Sequence, residues 1–356
     1  QIEIQKIGED VEEIKEFLQI FKSISANHHR NPNFIKKINN ILKFNKVQIK
    51  QTLSNNEIFY IFQDNKILLL LLLENDIITI SEQIYVEIMS KLESNGNRFC
   101  YFFYPEIENF IGKEKMEYIK KELLIKYPNA FENFDKKRKE GENDSHICSL
   151  IRNDSIVEFI SYMNRNNYSI SSQINPSIFE THSFLINNKN TTLIEYSAFF
   201  GAIQIFQYLL TNKAELTPSL WRYAIHSNNA ELIHFLEINK VPPPIYIINC
   251  PKMYEHMHPK TKSNDLGNNY INCLIESIKC HHNDIADYIE NNFINEQNLQ
   301  IKEKILSNYI KYHNYSYFQT DIICDYGFFY LCLYNYNILV NLLLEKKDKE
   351  IQSIII

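Results

Sequence analysis

The stretch Thr192-Leu193-Ile194-Glu195-Tyr196-Ser197-Ala198-Phe199-Phe200-Gly201-Ala202-Ile203-Gln204-Ile205-Phe206-Gln207-Tyr208-Leu209-Leu210 decides the fold of this 356-residue chain. It holds two short helical runs joined at Gly201. Thr192 and Glu195 stand at capping-box spacing and mark the start of the first run. Ile205, Phe206 and Leu209 form one apolar stripe on the second. Gly201 suits a tight turn because glycine accepts left-handed backbone. Neither run can stand alone, since isolated helices shorter than about 12–15 residues are marginal in water. Each needs a neighbour.

The neighbours are further copies. In Ser219 to Leu236, Asn228 aligns with Gly201, Ala224 with Ser197, and Leu232, Ile233 and Leu236 with the apolar stripe, 27 residues on. Ser277, His281, Ile285, Ala286 and Ile289 repeat the phrase, as do Asn335, Leu339, Val340 and Leu343. Upstream, Cys148, Arg152, Ile156, Val157 and Ile160 fit it, and Ser54 to Leu72, with Asp64 at the turn, reads as a degenerate copy. Small residues at Ser197 and Ala224 let helices approach closely. Gly201, Asn228 and Asn335 suit left-handed turns. Thr217-Pro218 and Asn175-Pro176 place a capping side chain before a proline at a helix start. Repeated helix pairs of this kind predict an all-α fold, an α-solenoid sharing one elongated core.

The phrase Thr192 to Leu210 resembles the ankyrin repeat, T-P-L-H-x-A-A-x-x-G-H-x-E-I-V-x-L-L, at Thr192, Ile194, Ala198, Gly201, Ile205 and Leu209. The resemblance covers roughly residues 143 to 345. Glu195 and Arg222 stand where the family has histidine, which implies loss of a hydrogen bond between adjacent turns. A 27-residue unit is shorter than the usual ~33, so the β-turn finger is shortened and binding shifts to the inner helices. Asn27-His28-His29-Arg30-Asn31-Pro32-Asn33-Phe34, Tyr104-Pro105-Glu106-Ile107 and Gly141-Glu142-Asn143-Asp144-Ser145 look like a large protist group of ankyrin proteins carrying an ankyrin-associated domain of unknown function.

Residues 1–135 read as a helical N-terminal region, with helices over Val11 to Ser25, Phe34 to Leu53, Ile58 to Leu73, Glu82 to Leu92 and Lys113 to Tyr127. The aromatic stretch Asn95 to Pro105 reads as extended. Residues 136–145 form a charged link, 146–345 the ankyrin-like repeats, and 346–356 a tail. An insertion at about 240–270 carries Pro242-Pro243-Pro244 and Cys250-Pro251 and reads as a loop or a degenerate repeat.

A net charge of −6 argues against a nucleic-acid or anionic-membrane surface. The basic run Lys136-Lys137-Arg138-Lys139 lies beside Glu140 and Glu142 and reads as solvated. The longest apolar run, Ile67 to Leu73, falls far short of the ~20 residues that span a bilayer. The first residues, Gln1 to Glu16, lack the apolar stretch of a signal peptide, and the missing initiator Met leaves a start upstream of residue 1 as the expectation. Seven irregularly spaced cysteines suit free thiols in a reducing, cytoplasmic setting.

Motifs for nucleotide binding, hydrolase elbows and metalloprotease helices are missing. Cys250, His256 and His258, with Cys280, His281 and His282, carry zinc-ligand chemistry at unfamiliar spacing. That region is the alternative reading, a zinc- or thiol-dependent enzyme. Cys148, Cys280 and Cys332 sit at repeat positions and read as small packing residues, and Trp221 at a core position. The principal expectation is a non-enzymatic protein–protein interaction scaffold without cofactor, nucleic acid, membrane insertion or small-molecule substrate. Its partner, one or more unidentified proteins, docks on exposed inner-helix positions: Tyr196, Phe199 and Phe200; Tyr223, His226 and Ser227; Glu276 and Lys279; Tyr330, Leu333 and Tyr334. A two-part adaptor in ubiquitin transfer or membrane traffic is the variant of this reading in which residues 1–135 hold a second protein.

Overall fold

The computed structural model describes residues 10–28, 32–94, 98–188, 190–244, 270–294, 299–314, 325–334, 336, 339–341 and 343–345. Their regular secondary structure is all helical; an isolated bridge between Gln173 and Thr192 is the β-type pairing recorded among them. The chain divides into two compact units, Gln1–His146 with Asn175–Lys189, and Ile147–Ile174 with Asn190–Ile356.

The first unit contains α1 (Val11–His28), α2 (Pro32–Phe44), α3 (Lys46–Thr52), α4 (Asn55–Phe62), α5 (Lys66–Glu74), α6 (Glu82–Ser94), α7 (Arg98–Phe102), α8 (Tyr104–Ile107), α9 (Lys113–Lys126) and α10 (Phe134–Glu140). Apolar periodicity joined Ile58 to Leu73 into one helix, but caps cut it in two. Ser54 and Glu57 form a capping box on α4, and the Asn65 side chain accepts from Leu68 N to start α5. Residues 55–74 are therefore a helix pair, but Asp64, the expected turn residue, does not have the positive φ of the turns in the second unit. Hydrogen bonds from Asn56 to Gln83 and from Tyr60 to Glu87 join positions 27 residues apart.

Two expectations for this unit are corrected. Residues 98–107 are helical, not extended, and Phe99 to Tyr104 are all buried. A segment buried on every side carries no periodic polar face, so its period is unreadable. Residues 136–145 are solvated only in part: Lys136, Lys139 and Glu140 are exposed, whereas Arg138, Gly141 and Asn143 are buried. The whole basic run lies in α10, where Arg138 is buried and its Nη1 donates to both Glu106 oxygens at 2.8 and 2.7 Å. Its guanidinium lies against the rings of Phe102 and Phe134. The returning segment Asn175–Lys189, with α13 (Ser183–Asn187), is pinned by buried Lys66, whose Nζ donates to the Ile178 and Glu180 carbonyls at 3.0 and 3.1 Å.

The second unit contains α11 (from His146 to Arg152, its first residue counted with the first unit), α12 (Ile156–Arg165), α14 (Leu193–Phe200), α15 (Ile203–Thr211), α16 (Leu220–Ser227), α17 (Ala230–Ile238), α18 (Ile271–Lys279), α19 (Asn283–Phe293), α20 (Leu299–Lys311) and α21 (Asp325–Leu333). Consecutive helices pair as α14 with α15, α16 with α17 and α18 with α19, while α14, α16, α18, α20 and α21 each touch the next in that order.

One turn recurs. Backbone φ is positive at Asp154, Gly201, Asn228, His281 and His313. After four of them the next amide reaches back five residues: Ser155 to Leu150, Ala202 to Ser197, His282 to Ser277 and Asn314 to Tyr309. This is the closing bond of a left-handed helix end. Tyr336 N makes the same reach to Leu331 O; Asn335 itself lies outside the described residues. Successive turns also touch. Asp154 accepts from Gln204 N and Ile205 N, each at 3.0 Å, and His281 Nε2 lies 2.7 Å from Tyr312 O.

The turn of the first copy is at Asp154, two residues after the expected Arg152, so Val157 is 73% exposed and Phe159 and Met163 fill the core instead. Trp221 is buried as expected and donates to Val241 O at 2.9 Å. Cys148 and Cys280 are buried, whereas Cys332 is exposed and does not pack. Glu195 makes the inter-turn bond that loss of histidine implied was missing: one carboxylate oxygen closes its own capping box and the other accepts from Thr217 and Ser219. Of the insertion at about 240–270, residues 245–269 lie outside the described residues.

Gly201 has φ +71° and an added Cβ would meet nothing closer than 3.5 Å, so Gly201→Ala isolates the cost of left-handed backbone. We expect a loss of about 1–2 kcal/mol in urea unfolding, against little change for Asn228→Gly. Arg138→Lys keeps the charge but not the planar group that reaches Glu106 through Nη1 and Asp135 through Nη2; we expect a loss of about 2 kcal/mol by the same measurement.

Candidate functional site

The exposed groove expected from the inner helices is largely filled. Tyr196, Phe199, Tyr223, His226 and Glu276 are buried. Phe200, Ser227, Lys279, Tyr330 and Tyr334 are half-buried, and Leu333 is 49% exposed. The cause is a recurring contact. The residue two before each turn meets the residue five before the next. Arg152 donates to the Tyr196 hydroxyl at 3.1 Å, the Phe199 ring lies 6.5 Å from Tyr223, and His226 Nε2 lies 2.8 Å from Glu276 Oε1. These side chains hold neighbouring helices together and are not free for a partner.

The third of these contacts is a polar centre inside the second unit. His226 comes from α16; Glu276 and Cys280 come from α18, four residues apart and so on one helix face. Cys280 Sγ lies 3.4 Å from His226 Nδ1 and 3.7 Å from Nε2. Glu276 Oε2 accepts from Arg222 Nε and Nη2 at 3.2 and 3.1 Å, and Oε1 from Lys279 at 3.0 Å. The Phe199 ring stacks on the imidazole with centroids 5.2 Å apart. Burial pushes the Glu276 carboxyl up, but the hydrogen bond from His226 and the charges of Lys279, His226 and Arg222 outweigh it, holding the group well below the usual carboxylate range. Burial pulls Lys279 down, and Glu276 more than restores it.

Thiol, imidazole and carboxylate here follow the order nucleophile, base, orienting acid. Two features oppose catalysis on Cys280. Its side chain is fully buried, and it caps the C-terminal end of α18, where the helix dipole disfavours a thiolate. A cleft of about 550 Å³ lies elsewhere in the unit, lined by Glu237, Lys240, Val241, Pro242, Tyr270, Tyr288, Asn292 and Phe293, and shares no residue with the centre. Of the other expected metal or thiol residues, His281 engages Tyr312 O, His282 starts α19, and Cys250, His256 and His258 lie outside the described residues.

No family model, curated protein or solved structure matches this chain. Sequence reasoning placed His226, Glu276 and Lys279 on one surface and left Cys280 and Arg222 apart from them. The signal that joins them was present: His226 stands two before its turn and Glu276 five before the next.

Replacing Glu276 with Leu strands Arg222, His226 and Lys279 around an apolar side chain. We expect a loss of about 3 kcal/mol at neutral pH, partly recovered in the double variant Glu276→Leu with His226→Leu, measured by a double-mutant cycle in urea. The folded carboxyl titrates below its ordinary value of 4.5. Its contribution is therefore present above pH 4.5 and lost as pH falls through the lower folded value. The acid dependence below pH 4.5 should flatten in Glu276→Leu.

Proposed function

We propose that this chain is a protein–protein interaction scaffold whose second unit is an ankyrin-like α-solenoid that binds a protein partner along its inner helices. The observation that carries this reading is the repeated turn: positive φ at Asp154, Gly201, Asn228, His281 and His313, with the same five-residue reach-back after four of them. Stacked copies of one supersecondary unit form a preformed surface, so binding costs little ordering. The docking positions are narrower than the sequence implied. Phe200, Lys279, Tyr330, Leu333 and Tyr334 keep accessible surface and serve as the contact set, while Tyr196, Phe199, Tyr223, His226 and Glu276 support them from beneath.

Buried free thiols at Cys100, Cys148, Cys273 and Cys280 favour a reducing compartment such as the cytoplasm. Burial raises the Cys100 thiol to about 12, so it stays protonated and inert. Among the described residues no helix is long and apolar enough to cross a membrane. The separate core of the first unit, built around residues such as Leu68, Phe102 and Leu123, favours a second reading in which that unit holds a different partner, making the chain an adaptor.

The test is quantitative crosslinking capture with the full chain. Phe200→Ser combined with Leu333→Ser should lower recovery of the principal partner at least about tenfold, the scale of a lost hot spot. Val157→Ser combined with Ile238→Ser, on other exposed helix surfaces, should leave it unchanged. Undiminished recovery with the first pair, or loss with the second, overturns the inner-helix reading.

A further inference from the structure

We propose that His226, Glu276 and Cys280 form a binding site for one divalent transition ion of the zinc class. Each offers one ligand atom, and the three atoms lie within 4.8 Å of one another. A tetrahedral zinc ion, with bonds of about 2.3 Å to sulfur and about 2.0–2.2 Å to nitrogen or oxygen, sets its ligand atoms about 3.3–3.6 Å apart. The sulfur–nitrogen separation is 3.7 Å at Nε2, and the nitrogen–oxygen separation is 2.8 Å. An opening of about half an ångström between imidazole and carboxylate admits the ion.

The donor set selects the metal. One thiol, one imidazole and one carboxylate suit zinc and its neighbours, whereas calcium and magnesium take oxygen alone. Glu276 and Cys280 are four residues apart on one helix, the spacing that points two ligands in one direction. The surroundings supply an outer shell. Arg222 stays on Glu276 Oε2 and orients the carboxylate, and Phe199 fixes the imidazole plane. On binding, the S–H bond of Cys280 and the Nε2–H bond of His226 both break, their protons leave to solvent, and metal–sulfur and metal–nitrogen bonds form in their place. Lys279, only half-buried, gives up Oε1 to the ion and turns outward. No electron changes hands. Such an ion would clamp α16 to α18 across 50 residues of chain, where closing a loop gives a large return in loop entropy.

The test uses the full chain, stripped with a chelator and titrated with zinc or cobalt(II). We expect one equivalent of tightly held metal, a sulfur-to-cobalt charge-transfer band, and a zinc-dependent rise in melting temperature. Zinc X-ray absorption of the wild-type chain should show one sulfur at about 2.3 Å and lighter ligands at about 2.0–2.2 Å; this readout needs no variant to fold. Cys280→Ser should abolish the charge-transfer band and weaken zinc at least tenfold. Binding of less than one tenth of an equivalent, a sulfur count other than one, or an unchanged band in Cys280→Ser overturns the proposal. None of these outcomes bears on partner capture, so the site and the scaffold reading fail separately.

Discussion

The left-handed turn after each short helix is the constraint on which the second unit depends. A helix of eight or nine residues such as α14, α16 or α18 buries too little to persist alone, so it must reverse at once and lay its partner beside it. The positive φ at Gly201, Asn228 and His281 makes that reversal in one residue, and the amide that follows Gly201 or His281 reaches back to satisfy a carbonyl the helix would otherwise leave unpaired. Glycine performs this at no steric cost. Asparagine, aspartate and histidine perform it at some cost, and at Asp154 and His281 the side chain recovers part of it by bonding the next copy.

Once the helices are fixed side by side, the residues between them have no choice but to pack. That is why a surface expected to be a groove is mostly interior. The slot between consecutive inner helices is geometrically the same each time, yet it is filled by Arg152 on Tyr196, Phe199 on Tyr223 and His226 on Glu276. The aromatic pair gains from area removed from water. The histidine–glutamate pair gains only because Arg222 and Lys279 complete the carboxylate; alone, a buried Glu276 would ionise at heavy cost. One slot therefore carries unlike chemistry with little change in backbone.

Sequence made the repeat legible where its marks were independent of apolar content. The capping box at Thr192 and the turns at Gly201, Asn228 and His281 stand where the phrase put them. Where only apolar matches were available, register slipped: in the first copy isoleucine and valine occur so densely that a two-residue shift keeps a plausible stripe, and Asp154 was passed over as a turn residue. The aromatic helix gave no period because Phe99, Cys100, Tyr101 and Phe102 are all buried. Arg138 in α10 looked solvated because its partner, Glu106, lies 32 residues away. The site was half legible. The positions of His226 and Glu276 in the phrase were known, but the insertion at about 240–270 reads equally as a loop or a degenerate repeat, and only with no copy intervening do two helices 50 residues apart become neighbours.

The proposed stack of similar helix pairs faces a problem that a globular core does not. If every copy offers the same apolar stripe, a copy docked against the wrong neighbour loses little energy. The polar centre removes that degeneracy. Glu276 placed opposite Phe199 rather than His226 would be a buried charge without its partners, a penalty of about 3–5 kcal/mol, comparable to a large part of a domain's net stability. Only α16 offers histidine and arginine at the right heights, at His226 and Arg222; the corresponding positions of α14 hold Phe199 and Glu195. The same residues that make the centre a candidate metal site thus also specify which helix α18 must meet, and they do so where the connection is longest and least able to specify it.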